Sequence, residues 1–146
     1  MLFALLALGL LVLAYRRIAA GYPEAPAGLA VLFAGEVAFV KATAAVLFPT
    51  GSALPVAGVD AHLPHYIDRH LAALPTAKRW QIRALFLLME NMTLVMPGPG
   101  PGGRNRLSSL SASARVSLLE RLSNHSNLQV RLLFIALRGV LTLGYL

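Results

Sequence analysis

Three of the four histidines lie close together, at His62, His65 and His70. His62 and His65 are three residues apart, a spacing that places two imidazoles on one side of a helix, where both can bind one zinc ion. Arg69 falls on the same face, and its charge would repel a cation. The sequence has no cysteine to complete a site. We therefore expect no bound metal and assign the pair to the surface, although His62 and His65 remain the candidate ligands.

Two glutamates, Glu36 and Glu90, lie inside apolar segments. A buried carboxyl group has a raised pKa and can act as a general acid. An ion pair satisfies such a group equally well, and arginines are near in both cases. We expect Glu90 to pair with Arg83 or Arg79, and Glu36 with Lys41 or a distant arginine. No Ser-His-Asp signature or nucleophile elbow is present, so no catalytic residue is assigned.

Residues 97–105 contain the run PGPGPGG, which superficially looks like a phosphate-binding loop. Phosphate cradling needs backbone N–H groups, and Pro99 and Pro101 have none. The lysine and serine or threonine of a nucleotide loop are replaced by Arg104 and Asn105. We expect a flexible loop here and no nucleotide. The chain is thus expected to hold no cofactor of its own and not to be an enzyme by itself.

The composition points to lipid or to a large protein interface. Apolar residues make up 57% of the 146 residues and charged residues 13%, whereas a typical soluble domain is about a quarter charged. The formal net charge is +7, but the basic residues are scattered and aromatic residues are not interleaved with them as a stacking platform needs. A membrane or a protein partner is therefore favoured well above nucleic acid, which we do not expect this chain to bind.

The N-terminus is the strongest membrane signal. Residues 2–15 form an unbroken apolar run, followed at once by Arg16 and Arg17. As a helix the run covers about 21 Å, and it can extend to residue 20 if the arginines reach to the headgroups. We expect residues 1–20 to anchor the chain, by spanning the membrane; an interfacial helix and a cleaved signal are the alternatives. The anchoring residues would be Leu2, Phe3, Leu11, Tyr15, Arg16 and Arg17.

The rest of the sequence predicts an all-α domain, because helical periodicity recurs and no long alternating run appears. Residues 21–27 are a proline-containing linker, and residues 28–146 form the helical, partner-binding domain of about five helices. Residues 28–48 are read as a central core helix, with a second membrane span as the alternative. The positive-inside rule places this domain on the cytoplasmic side of a bacterial inner membrane.

The last helix, from residue 128 to the C-terminus, is apolar on every side except at a few positions. Arg131 and Arg138 are seven residues apart and so share one face. In lipid Arg138 would lie near the bilayer centre, which is costly, whereas a protein interface satisfies both features. The residues predicted to bind a partner are Arg131, Phe134, Arg138, Leu141 and Tyr145.

Short motifs between Phe48 and Leu146 carry a family resemblance, which covers roughly residues 34–146. They are Phe48-Pro-x-Gly51-x-x-Leu54-Pro55, Tyr66-Ile-Asp-Arg-His70-Leu, Arg106-Leu-Ser108-x-Leu110-Ser111-x-x-x-Arg115 and the terminal Gly144-Tyr145-Leu146. Their order resembles the helical segment before the flavin domain of long-chain fatty alcohol oxidases. It is also similar to the small subunits of bacterial glucose-methanol-choline flavoprotein dehydrogenases, such as that of gluconate dehydrogenase. Leu107 departs from the pattern, which has phenylalanine there.

The resemblance implies an accessory subunit whose chemistry belongs to a larger FAD-containing partner acting on an alcohol, sugar or sterol. In the fused relatives the flavin domain follows the terminal helix, so we expect the flavoprotein to be a separate polypeptide. No catalytic residue carries over. The alternatives are a stand-alone multi-pass membrane protein for transport or lipid binding, and an assembly chaperone.

Overall fold

A computed structural model of the chain describes residues 1–49 and 62–145. Within these ranges it contains six α-helices and no strand, which confirms an all-α fold with one N-terminal helix and five more. The motif residues Gly51, Leu54, Pro55 and Leu146 lie outside the described ranges. The helices are α1 Leu2–Ile18, α2 Ala34–Leu47, α3 Leu63–Ala73, α4 Thr76–Glu90, α5 Ala112–Ser123 and α6 Leu128–Tyr145.

Helix α2 is the centre of the domain and packs against α3, α4, α5 and α6. Phe39, Val40 and Ala44 on this helix are fully buried. The ring of Phe39 packs on that of Phe86 from α4, with centroids 5.5 Å apart. The interpretation of this segment as a core helix is therefore confirmed, and its lack of a polar face follows from neighbours on all sides.

Helix α2 is shorter than the apolar segment that predicts it. Residues 28–33 are not helical, because the carboxylate of Asp68 on α3 accepts the backbone N–H groups of Ala30, Val31 and Leu32, each at 2.8 Å. Burial raises the pKa of Asp68, but these three donors outweigh that effect and lower it below its ordinary value. One carboxylate thus supplies the hydrogen bonds that a helix would otherwise have made.

The segment after α4 is also less helical than its pattern indicates. The pattern of the sequence predicts a helix from about residue 77 to residue 96, but the α-helix ends at Glu90 and a 3₁₀ turn follows at Met92–Leu94. The glycine-rich loop then closes on itself, with the Gly98 N–H donating to the Gly103 carbonyl at 2.8 Å. Gly100 and Gly102 adopt left-handed backbone angles, φ +79° and +80°, which residues with side chains rarely adopt.

The sequence offers Ser109 and Ser111 as caps for helix α5, and it is the Ser111 hydroxyl that accepts the Ala114 N–H as the N-cap. Arg115 in its first turn donates to the Leu110 carbonyl and to the Ala42 carbonyl of α2, both at 3.1 Å. These bonds tie α5 to the central helix.

Most of helix α1 is outside the helical core, and its C-terminal end contacts the rest of the domain. Every described side chain from Phe3 to Arg16 is exposed, and Arg17 is the first one that is half-buried. Within the described part of the chain, no helix is both long enough and apolar enough to cross a membrane. The position of α1 outside the core is what the sequence predicts, and its membrane role belongs to the proposals below.

Candidate functional site

The histidine pair lies at the start of α3. His62 precedes the helix with a left-handed backbone (φ +48°), and the two imidazole centroids are 6.3 Å apart. The Nε2 atom of His65 is 3.3 Å from the Ala27 carbonyl oxygen in the linker. Among residues 1–49 and 62–145, no three His, Cys, Asp or Glu side chains are grouped so that they would hold a metal ion.

Glu36 pairs with Arg83, the distant arginine that the sequence leaves open. The Arg83 Nε atom donates to Glu36 Oε1 at 2.7 Å, and the two side chains are only 9% and 13% exposed. The guanidinium also lies over the rings of Phe33 and Trp80, 4.3 and 4.8 Å from their centroids. The expected pairing of Glu90 with Arg83 or Arg79 is wrong, because Arg83 bonds to Glu36 and Arg79 donates to backbone carbonyl groups at the end of α3.

Glu90 is, with Asp68, one of two buried acids in the part of the chain that the structure describes, and three donors surround it. Its carboxyl group accepts the Ser108 N–H at 3.0 Å, the Tyr22 hydroxyl at 3.2 Å and a short bond from the Ser108 hydroxyl. Burial raises the pKa of Glu90 above its ordinary value, although these bonds oppose the shift. Burial and then the nearby Glu90 charge raise the pKa of Tyr22 as well. Glu90 therefore joins the linker, the end of α4 and the turn before α5.

The foot of α1 is fixed to the body by Arg17. Its guanidinium donates to Asn91 Oδ1 at 2.9 Å, to the Arg104 carbonyl at 2.7 Å and to the buried Thr93 hydroxyl at 2.8 Å. Arg16 is exposed. The two adjacent arginines were both predicted to reach lipid headgroups, but Arg17 is turned toward the protein instead.

Arg106 holds the linker that follows α1. It donates to the Ala20 carbonyl at 2.7 Å and to the Gly21 carbonyl at 3.4 Å. Its guanidinium lies 3.9 Å from the centroid of the Tyr22 ring, a cation–π contact. The Tyr22 ring also fills the space above Gly35, where an added Cβ would come within 2.8 Å of it. The linker is therefore ordered by side chains from the body.

A groove of about 600 Å³ opens between the foot of α1, α2 and α4. Its lining is mostly apolar, and its polar groups are Tyr22, Glu90 and the Glu36–Arg83 pair. A second hollow of about 430 Å³ lies between α1 and α4, and it shares the lining residues Ile18, Ala84 and Leu87 with the groove. Because the carboxyl groups in this groove already hold the fold together, they are not arranged as a free acid–base pair.

Helix α6 places the predicted partner-binding residues on different sides. Phe134 and Leu141 belong to the core of the domain, so they are not available to a partner. Arg131 is half-buried and donates to the His125 and Ser126 carbonyls at 2.7 and 3.2 Å, which closes the turn before its own helix. Arg138 is exposed, and Tyr145 ends the helix. Only Arg138, of the four residues with described side chains, lies where a partner can reach it.

The apolar side chains of α6 that face solvent are different from those predicted. Leu128, Leu132, Ile135 and Leu143 are between 52% and 62% exposed, and their spacing places them along one stripe. We call these four residues the outer face of α6. Phe134, Leu137 and Leu141 form a second apolar stripe on the opposite side of α6, and this stripe is the buried one. The sequence shows both stripes, but it does not show which of the two is buried, because both are apolar.

No family model, curated protein or solved structure matches the chain. Its function is therefore inferred from its own side chains and from the motifs quoted above.

We predict that Glu90 makes stability fall with rising pH. A carboxyl group whose pKa is raised by folding stabilises the fold fully below its unfolded value, and this contribution is lost as the pH rises through the folded value. The free energy of unfolding should therefore decrease above about pH 4.5, the ordinary value for glutamate. The decrease can reach at most about 1.4 kcal/mol per pH unit. Glu90→Gln should remove it, as measured by urea unfolding at several pH values.

The matched control for this experiment is Glu120→Gln, which neutralises an exposed glutamate. This variant should keep the pH dependence of the unaltered chain. An equal loss of the dependence in both variants would show that it does not arise from Glu90.

We predict that Arg17→Ala loosens the foot of α1 while Arg16→Ala does not. Arg17→Ala removes three charged hydrogen bonds and leaves the buried Thr93 without its donor, which should lower the free energy of unfolding by about 1.5–3 kcal/mol. Amide hydrogen exchange in residues 15–22 should accelerate about ten-fold or more. Arg16→Ala should change stability by less than about 0.5 kcal/mol. Equal effects of the two substitutions would contradict the assignment.

Proposed function

We propose that this chain is a non-catalytic accessory subunit that attaches a flavin-dependent oxidoreductase of the glucose-methanol-choline type to a membrane. Helix α1 inserts into lipid, the five-helix domain binds the FAD-containing subunit, and the substrate is oxidised by that partner. The proposal places the assembly on the cytoplasmic side of a bacterial inner membrane. It rests above all on one observation, the exposure of an apolar helix on every side.

The exposure of α1 supports lipid insertion because water is a poor solvent for it. Leu8, Leu10, Leu11 and Leu13 lie on different sides of the helix, and each is between 58% and 67% exposed. A helix in contact with one protein surface would need only one apolar stripe. A helix that is apolar all round is suited to surroundings that are apolar all round. Lipid meets that requirement, with Tyr15 and Arg16 at the level of the headgroups.

The outer face of α6 supports a separate protein interface. Its four apolar residues span about four turns of the helix, and the exposed Arg138 lies at their edge. Interfaces between proteins combine such apolar residues with arginines and few other charges. This stripe, together with Arg138, is the surface that we assign to the flavoprotein subunit.

The residues of the family motifs support the domain rather than a reaction. Asp68, Ser108, Arg115 and Arg106 each bond to another segment of the chain, and Ser111 caps its own helix. These motif residues therefore have structural partners within the domain. FAD and the catalytic groups are accordingly assigned to the partner.

We predict that residues 1–20 are required for membrane attachment. The full chain should float with phospholipid vesicles in a density gradient, because burying the apolar surface of α1 in lipid is favourable by about 25 cal/mol per Å². A chain that begins at residue 21 should remain at the bottom. Arg17→Ala should still float, since it alters only the foot of the helix. Flotation of the shortened chain would assign the membrane contact to another part of the molecule.

We predict that Ile135→Asp weakens binding of the flavoprotein subunit. A charge placed in the middle of the apolar stripe should cost about 2 kcal/mol or more, which lowers the affinity about thirty-fold. The partner to test is a glucose-methanol-choline flavoprotein that co-purifies with the unaltered chain, detected by its flavin absorbance and titrated against the purified subunit. Truncation of α6 is a poor test, because Phe134, Leu137 and Leu141 belong to the core.

The matched control is Val116→Asp, which places the same charge at an exposed valine of α5. This variant should bind with unchanged affinity. If Ile135→Asp also binds with unchanged affinity, the outer face of α6 is not the interface.

A further inference from the structure

Large apolar side chains surround the foot of α1 and lie in contact with water. Phe33 is 66% exposed and Trp80 is 58% exposed, while Leu87, Leu88 and Leu94 are between 45% and 50% exposed. All five line one or the other of the two hollows beside α1. We call these five residues the base surface. Exposed apolar side chains that occur singly are normal on a protein surface, whereas a group of five large ones around adjoining hollows indicates a binding surface.

The base surface is continuous with α1. Ala14 and Ile18 of α1 line the same hollows as Leu87 and Leu88 of α4. The bonds from Arg17 to Asn91 and Thr93 hold α1 against this end of α4. Ile18 follows Tyr15 by about 5 Å along the helix axis. When the apolar run of α1 lies in lipid, the base surface is therefore at the level of the headgroups.

The charges around the base surface favour anionic lipid. Arg16 and Arg104 are exposed at this end of the molecule, and the Arg104 carbonyl is bonded to Arg17. The carboxyl groups that line the groove are occupied, that of Glu36 by Arg83 and that of Glu90 by Ser108. The surface thus presents cations and aromatic rings, which is the composition of a protein surface that rests on a membrane interface.

We propose, taking α1 as the lipid-inserted element of the proposed function, that the base surface rests on the anionic headgroup layer of the same membrane. Trp80 and Phe33 lie among the headgroups and the first carbons of the acyl chains. The domain is then held in one orientation, by α1 inserted in the bilayer and by the base surface resting on it. The outer face of α6 does not line either hollow and stays available to the partner subunit.

The test uses Trp80, which is the one tryptophan of the sequence. The full chain is mixed with vesicles of phosphatidylcholine and phosphatidylglycerol whose acyl chains carry bromine near the headgroup. Bromine quenches tryptophan only at short range, so the emission of Trp80 should be quenched and shifted to shorter wavelength. Flotation of the same samples reports separately whether α1 has bound the vesicles.

The matched control moves the tryptophan to the outer face of α6. The double variant Trp80→Phe, Leu132→Trp keeps an aromatic residue in the base surface and places the probe at a side chain that is 52% exposed. It should float with the vesicles, but its emission should not be quenched. Equal quenching at the two positions would show adsorption without orientation and would overturn the proposal.

The other outcomes separate this proposal from the function on which it rests. Flotation without quenching of Trp80 would leave α1 as the anchor and refute the base surface as a lipid contact. Absence of flotation would refute the membrane role of α1 and the base surface together. Arg16→Gln and Arg104→Gln should each lower the affinity for the anionic vesicles about five-fold, and both effects should disappear on phosphatidylcholine alone.

Discussion

The carboxyl group of Glu90 is buried at the end of α4, so donors from the protein must replace the water that would otherwise bond to its oxygen atoms. Ser108 supplies two of the donors and Tyr22 the third, so one buried acid determines the position of two loops that are far apart in the sequence. Arg106 completes the arrangement by holding the Tyr22 ring and the Ala20 carbonyl. The direction in which the chain leaves α1 depends on this cluster.

Many of the arginines that give the chain its net positive charge have a structural role, which composition does not reveal. In the part of the chain that the structure describes, six arginines donate to backbone carbonyl groups at the ends of helices and in turns: Arg17, Arg79, Arg106, Arg115, Arg121 and Arg131. Helix C-termini leave carbonyl groups without partners, and guanidinium groups satisfy several at once. Much of the basic character therefore orders this fold, and the arginines available to lipid or to a partner are fewer than a charge of +7 indicates.

The sequence predicts elements well where the pattern is local and less well where a distant residue intervenes. The number of helices and the start of α6 follow from periodicity alone, and capping narrows the start of α5 to Ser109 or Ser111. The start of α2 does not, because Asp68 takes the N–H groups of residues 30–32 from more than thirty positions away. The pairing of Arg83 with Glu36 was left open for the same reason.

The candidate site shows a second limit of local patterns. Arg16 and Arg17 are identical and adjacent, yet one faces solvent and the other bonds to Thr93, which only the packing of α1 on the body decides. The assignment of Phe134 and Leu141 to a partner failed likewise, since a helix that is apolar all round does not tell which stripe its own domain uses. The motif from Arg106 to Arg115 contains residues that fix the packing of the domain. Their partners, Glu90 for Ser108 and the Ala42 carbonyl for Arg115, are identified only by the structure.

The apolar surfaces that remain after folding fall into two groups that differ in shape and charge. Helix α1 and the base surface are continuous, contain the aromatic residues Tyr15, Trp80 and Phe33, and are bordered by exposed cations. The outer face of α6 is a narrow aliphatic stripe with Arg138. A helix that is apolar on every side is matched by lipid, whereas a single stripe is matched by the groove of another protein. The two surfaces therefore suit two different occupants, and a subunit that connects a membrane to a protein needs both.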